Sequence, residues 1–212
     1  MADPPDDLSP RRRQADSTRR QLLAAASEVF SQDGYQGATV RAITDRASTA
    51  HGTFYLYFRN KEDVFCRVVE AVIVDELAVG THTFLEAGPD RSGLADAVRE
   101  FVTGYARHVG LWRALLEGML QSRVVQDLWL DLRRRAIVRL ADEMRSQRRT
   151  GVVRALDPVL TAHAMTAMTE WLAFTHFALD EPRLDGAQGD ALVDTLADLW
   201  LHAVYGRPPA SS

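Results

Sequence analysis

The chain has one cysteine and, reading along it, one lysine in 212 residues. A single thiol, Cys66, cannot close an internal disulfide and implies no metal cluster. No apolar run is long enough to span a bilayer, and the N-terminus, MADPPDDLSPRRRQADS, lacks the apolar segment of a secretory leader. A cytoplasmic location without membrane association is expected by elimination. The sequence shows no strand signals and no internal repeat. No nucleophile elbow or paired-carboxylate spacing occurs. His163 and His176 stand without a metal-ligand frame. The expectation is a protein that is not an enzyme and needs neither cofactor nor metal.

What remains is helical. Apolar residues make up 46% of the chain, enough for a substantial core, and their spacing predicts nine helices and an all-α fold. Residues 1–16 read as a disordered tail. Helix 1 is expected over about Thr18–Gln32, capped by Ser17 and stopped by Asp33-Gly34. Helix 2 starts at Thr39, Ser48-Thr49 makes a turn, and helix 3 covers about Ala50–Tyr57. Asn60 caps helix 4, with Asp63 in the capping-box position and a continuous pattern to about Leu85. Helix 5 follows Asp90 or Ser92 and is broken by Gly110. Helices 6 and 7 cover about Leu111–Met119 and Val124–Arg149. Asp157-Pro158 starts helix 8, which runs to about Leu179, and helix 9 covers about Asp190–Tyr205.

The net charge of −4 is unevenly spread. Residues 11–61 hold nine basic and four acidic side chains, a net of +5, so the remainder carries −9. A basic head on an acidic body points to a local anionic partner. Within that head, two short helical patterns joined by a small-residue turn have the form of a helix-turn-helix, whose second helix enters the major groove of DNA. Ile43 and Ala47 are expected to pack on Phe54 and Phe58, leaving His51, Thr53, Tyr55 and Leu56 on the other faces. Gly52 lets the helix backbone come close to DNA, and Lys61 sits at the next helix N-terminus, where phosphate is favoured.

Thr39, Ile43 and Ala47, then Gly52-Thr53-Phe54-Tyr55-Leu56-Tyr57-Phe58, then Asn60-Lys61-Glu62 carry a resemblance. The stretch resembles the DNA-binding head of TetR-type repressors. It covers about residues 17–65, and the helical remainder is similar in helix number and length only. The resemblance implies a nine-helix architecture with a helix-turn-helix domain at 17–65, a ligand-binding and dimerisation domain at 66–206 and a short tail at 207–212. It implies DNA contacts from Thr39, Arg41, His51, Gly52, Thr53, Tyr55, Leu56, Tyr57 and Lys61, with Tyr55 and Lys61 on phosphates and His51 to Thr53 near bases. The chain departs from the family pattern at Ser48, where the turn usually has glycine, and at Thr49 and Ala50, so Ser48 or Thr49 is expected to cap helix 3.

A single head contacts few bases, so specific affinity calls for a homodimer on a palindromic DNA operator. Helix 9 carries apolar residues around most of its circumference, more than one buried stripe needs. Trp171, Leu192, Leu196, Trp200 and Val204 are the expected dimer surface. Phe101, Tyr105, His108, Trp112, Met119, Trp129, His163 and Met168 are candidates for a cavity that takes a small apolar or aromatic effector. The expected function is a DNA-binding transcriptional regulator, a repressor released by that effector. The alternative is a helical small-molecule-binding protein or enzyme that does not bind DNA.

Overall fold

A computed structural model of the chain describes residues 10–72, 88–149, 154, 156–179 and 186–206. Helix α1 is Pro10–Gly37, α2 is Val40–Arg46 and α3 is His51–Phe54. Helix α4 is described over 61–72, and its expected continuation to Leu85 lies outside the described residues. Helices α5 (Arg91–Arg107), α6 (Val109–Gln121), α7 (Arg123–Arg149), α8 (Pro158–Phe177) and α9 (Gly186–Trp200) follow, and α9 runs into a wider π-helical turn at Leu201–Tyr205. The described residues contain helices and no strands, and the fold is all-α as expected.

Several helix ends follow their capping chemistry. The Asp90 carboxylate accepts from the backbone N–H groups of Ser92 and Gly93, and Asp157 accepts from Leu160 with Pro158 at the first helical position. Asn60 Oδ1 accepts from Asp63 N at 2.8 Å. Asp63 reaches back to Arg59 N at 2.9 Å, one residue before the usual capping-box partner.

Three expectations are corrected. Residues 10–16 are helical, because Pro10 supplies a preset first turn and Arg-Arg-Arg-Gln-Ala continues it. Ser17 is therefore interior and caps nothing. The regular α1 geometry breaks where expected, at Gly34, whose φ of 71° and ψ of 177° suit only glycine. Gly110 does not end α5; that helix stops at Arg107, and Gly110 lies inside α6. Its role is close approach, since a Cβ there would stand 2.3 Å from the Ser31 carbonyl oxygen of α1.

Two hydrophobic cores result. The first joins the head to α6 and α7: Leu22, Val29, Phe30, Ile43, Phe54, Phe58, Phe65 and Val69 pack together with Leu111, Leu115, Val125 and Leu132. The second joins α5, the later half of α7, α8 and α9 through Leu94, Val98, Ile137, Leu140, Met144, Met165, Leu196, Trp200 and Val204.

Candidate functional site: an exposed helix and an aromatic cavity

The head is built around one tight turn. Thr39 Oγ1 caps α2 by accepting from Ala42 N at 3.1 Å. The helix ends in a paired return, with Ser48 N donating to Asp45 O at 3.2 Å and Thr49 N to Thr44 O at 3.0 Å. This geometry needs a left-handed residue between the two helices. Ser48 takes that role with a φ of 52°, the only such non-glycine among the described residues. Neither Ser48 nor Thr49 caps α3. Ala50 occupies the cap position with no side-chain hydrogen bond, and the Thr49 hydroxyl is buried without a partner. Helix α3 is correspondingly short, and residues 55–57 continue it as a turn.

Phe54 and Phe58 are buried and anchor α3 on Ile43 and the first core. His51, Gly52, Tyr55 and Leu56 are all exposed, with Tyr55 at 53% and Leu56 at 79%. Positions 51, 52, 55 and 56 fall on one side of a helix. The His51 ring meets Tyr55 edge-on at 5.4 Å. A Cβ on Gly52 would meet nothing, so packing within the chain does not demand glycine there. Thr53 and Tyr57 are half-buried, and Tyr57 packs on the first core. Thr39 and Arg41 are exposed beside this face, Arg41 with Asp45 at 3.7 Å. Arg46 is held by Glu28 and Gln32, each at 2.8 Å. Arg12, Arg13, Arg19 and Arg20 line exposed positions of α1.

Lys61 is engaged within the chain. Its Nζ donates to Tyr35 O at 2.7 Å and lies 4.8 Å from the Tyr35 ring centre. The ammonium answers the partial negative charge of carbonyls at the end of α1. Burial pulls its pKa below the usual lysine value, with Glu117 opposing that shift.

Glu117 belongs to α6 and reaches the same corner. Its Oε2 accepts from Gln36 N at 3.2 Å, and a Cβ on Gly34 would collide with its carboxylate. One turn on, the Ser122 hydroxyl donates to Glu62 Oε1 and accepts from Val125 N at 3.2 Å. The other side of α6 looks into the body. Trp112, Leu115, Leu116 and Met119 line a cavity of about 360 Å³, together with Tyr105 of α5, Trp129 and Arg133 of α7, and Ala167, Glu170, Trp171 and Phe174 of α8. Trp112 stacks on Tyr105 at 4.7 Å and meets Trp129 edge-on at 5.6 Å. Burial raises the pKa of the Tyr105 phenol.

Of the eight residues expected at a cavity, Tyr105, Trp112, Met119 and Trp129 line it. The other four are corrections. Phe101 packs behind Tyr105 at 6.2 Å, and Met168 packs against the second core. His108 sits at the α5–α6 corner, where burial lowers its pKa. His163 is exposed and meets Arg133 at 2.8 Å. Sequence reading missed Arg133 and Glu170, which form a 3.0 Å ion pair with both side chains largely buried. A signal was available: Glu170 is the only Asp, Glu, Lys or Arg in the twenty residues of α8. A lone acid in an apolar helix needs a partner or a ligand.

The expected dimer surface is also corrected. Leu196, Trp200 and Val204 are buried in the second core of the same chain, and Trp200 Nε1 donates to Thr169 Oγ1 at 3.1 Å. The broad apolar circumference of α9 is used by packing on its own chain, notably α5. Leu192 is partly buried against that core. Trp171 alone of the five stands mainly exposed, at 63%, and Leu160 and Leu199 are exposed near the same helices.

Among the described residues, no group of three or more His, Cys, Asp and Glu side chains could hold a metal ion, and no helix is long and apolar enough to cross a membrane.

Residues 22–68 match the model of bacterial regulatory proteins of the tetR family, and residues 94–206 match that of the C-terminal domain of the transcriptional regulator EthR. The HTH-type transcriptional regulator EthR of Mycolicibacterium smegmatis is 24% identical over 200 residues, covering 93% of this chain and 90% of that one. The HTH-type transcriptional repressor NicS of Pseudomonas putida is 31% identical over 98 residues, covering 46% of each chain. Among solved structures, the fatty acid degradation regulator FadR from Bacillus halodurans superposes with a TM-score of 0.69 at 20% identity, covering 92% of this chain and 97% of that one.

Proposed function

The chain belongs to the tetR family of bacterial regulatory proteins and is a DNA-binding transcriptional regulator; from that premise we propose that it is a repressor, dimeric on a palindromic operator and released by a small effector. The observation that carries the reading is the exposed face of α3, where His51, Gly52, Tyr55 and Leu56 stand clear of a head fixed by Phe54 and Phe58. In this reading Tyr55 meets phosphate, and His51, Gly52 and Thr53 lie along base edges. Thr39, Arg41 and Tyr57 flank them. The arginines of α1 add sequence-independent attraction. Lys61 acts indirectly, by holding the end of α1 against the start of α4. The name of the Pseudomonas putida relative is consistent with repression.

The second copy is proposed to dock on the faces of α8 and α9 that remain exposed, through Leu160 and Trp171 on one side of α8 and Leu199 on α9. The effector is proposed to occupy the aromatic cavity. Helix α6 carries both the cavity wall and the Glu117 contact with the head, so a ligand that prefers a different position of α6 changes the spacing of the two heads. Only such a difference in affinity between the two states releases DNA. Cytoplasmic residence fits this role.

A gel shift with the DNA upstream of the protein's own gene tests the proposal. The expected result is sequence-specific binding by effector-free protein that weakens steeply with salt. Absence of such binding would falsify the reading, and turnover of a bound small molecule would favour an enzyme.

A further inference from the structure

In the major groove arginine and lysine read guanine, asparagine and glutamine read adenine, and carboxylates accept from cytosine. None of these residue types occurs from Ala50 to Tyr57. The exposed face of α3 shows instead one imidazole, one phenol and one large aliphatic side chain, Leu56, at 79%. Leu56 N donates to Thr53 O at 3.2 Å, so the chain is still coiled there although the regular helix ends at Phe54. Leu56 follows Gly52 by one turn, and side chains on a helix lean toward the turn before them. No atom lies within 4 Å of the place that a Cβ on Gly52 would take. An apolar side chain thus borders a bare stretch of backbone with open space beside it.

Resting on the reading of this face as the surface that meets base edges, we propose that Leu56 packs on the C5-methyl group of a thymine and makes each half-site specific for thymine at that base pair. This methyl is the only one that the four bases present in the major groove. A leucine makes no hydrogen bond to the donors and acceptors around it, and covering those without pairing them costs affinity. Thymine is therefore the base that Leu56 can cover with a net gain. The space beside Gly52 lets the methyl group sit between the leucine and the helix backbone. Burying one methyl group is worth about fourfold in affinity. Attraction to phosphate does not depend on α3, because Arg12, Arg19 and Arg20 on α1 and Arg41 on α2 stand exposed around it. Hydrogen bonds from Arg41 or His51 at neighbouring base pairs are compatible with this, since neither group senses the methyl.

The full chain first selects its preferred duplex from a random pool. Each thymine of that duplex is then replaced in turn by deoxyuridine, which removes the methyl group and keeps every hydrogen-bonding atom. Gel-shift titration is expected to show affinity lower by about fourfold at one thymine of a half-site, and by about fifteenfold when both half-sites carry the change. Leu56→Ala is expected to bind the thymine and uracil duplexes equally at that position. Its fold is not at risk, because the side chain it shortens is exposed. Equal binding of thymine and uracil at every position overturns the proposal, and so does a thymine preference that survives in Leu56→Ala. A selected sequence without the methyl effect fails this inference alone, whereas enrichment of no sequence from the pool fails the reading of the α3 face with it.

Discussion

The α3 face and the cavity are both rich in aromatic side chains, yet they use them in opposite ways. On α3, Phe54 and Phe58 turn inward so that Tyr55 and Leu56 can turn outward. In the cavity, Trp112 stacks on Tyr105 and meets Trp129 edge-on, and the three rings line open space. One site is assembled from about ten consecutive residues and the other from four helices. The exposed site tolerates unpaired polar groups because water satisfies them. Beside the cavity, where side chains are largely buried, charges pair instead, as Arg133 does with Glu170.

That contrast can be broken at the ion pair first. Arg133→Leu leaves Glu170 buried without its partner and is expected to cost about 3–5 kcal/mol of stability, read from denaturant midpoints. A loss under 1 kcal/mol would mean that the carboxylate is wetter than its burial implies. On the exposed side the same measurement should barely move. Tyr55→Ala is expected to change stability by less than about 0.5 kcal/mol. It should nonetheless weaken binding to specific and random DNA alike, by roughly tenfold. Thr53→Ala should instead alter sequence preference, and equal loss on both DNAs contradicts that role.

The pH dependence of stability sharpens the comparison further. Burial holds the Glu170 pKa in the folded chain above its unfolded value. Over the interval between those values the folded state binds more protons than the unfolded one, so this group's contribution to stability is present below the unfolded value and is lost as pH rises through the folded one. Glu170→Gln should flatten that part of the profile, while Tyr55→Ala should not. The smallest effect is expected at the turn. Ser48→Gly relieves a left-handed serine at the cost of a looser unfolded chain, for a net gain of at most about 1 kcal/mol.

Contiguity decided what could be read from the sequence. Thr39 as a cap, Phe54 and Phe58 as anchors and Asp157-Pro158 as a helix start are local patterns, and the structure carries each of them. Gly110 looked like a breaker because a glycine's reason is invisible until the chain opposite it, Ser31, is in place. The bond from Lys61 to the end of α1 was invisible because the carbonyl it serves lies twenty-six residues earlier. Trp200 looked like an interface residue because a wide apolar circumference has the same pattern whether a second chain covers it or α5 and α8 do. Half of the expected cavity residues were found from aromatic content alone. Arg133 and Glu170 were not, since pairing across thirty-seven residues leaves no periodic trace.

Gly110 carries a consequence for how sequences of this architecture can drift. The backbone of α6 touches that of α1 at Ser31 with no room for even a methyl group. Side chains elsewhere in the seam can trade volume with their neighbours, but a position where backbone meets backbone has nothing to trade. Any relative that carries a larger residue there must hold the two helix axes further apart. Its first core would then need bulkier residues around Phe30 and Leu111 to close the gap, a coupled change that a comparison of such sequences would expose.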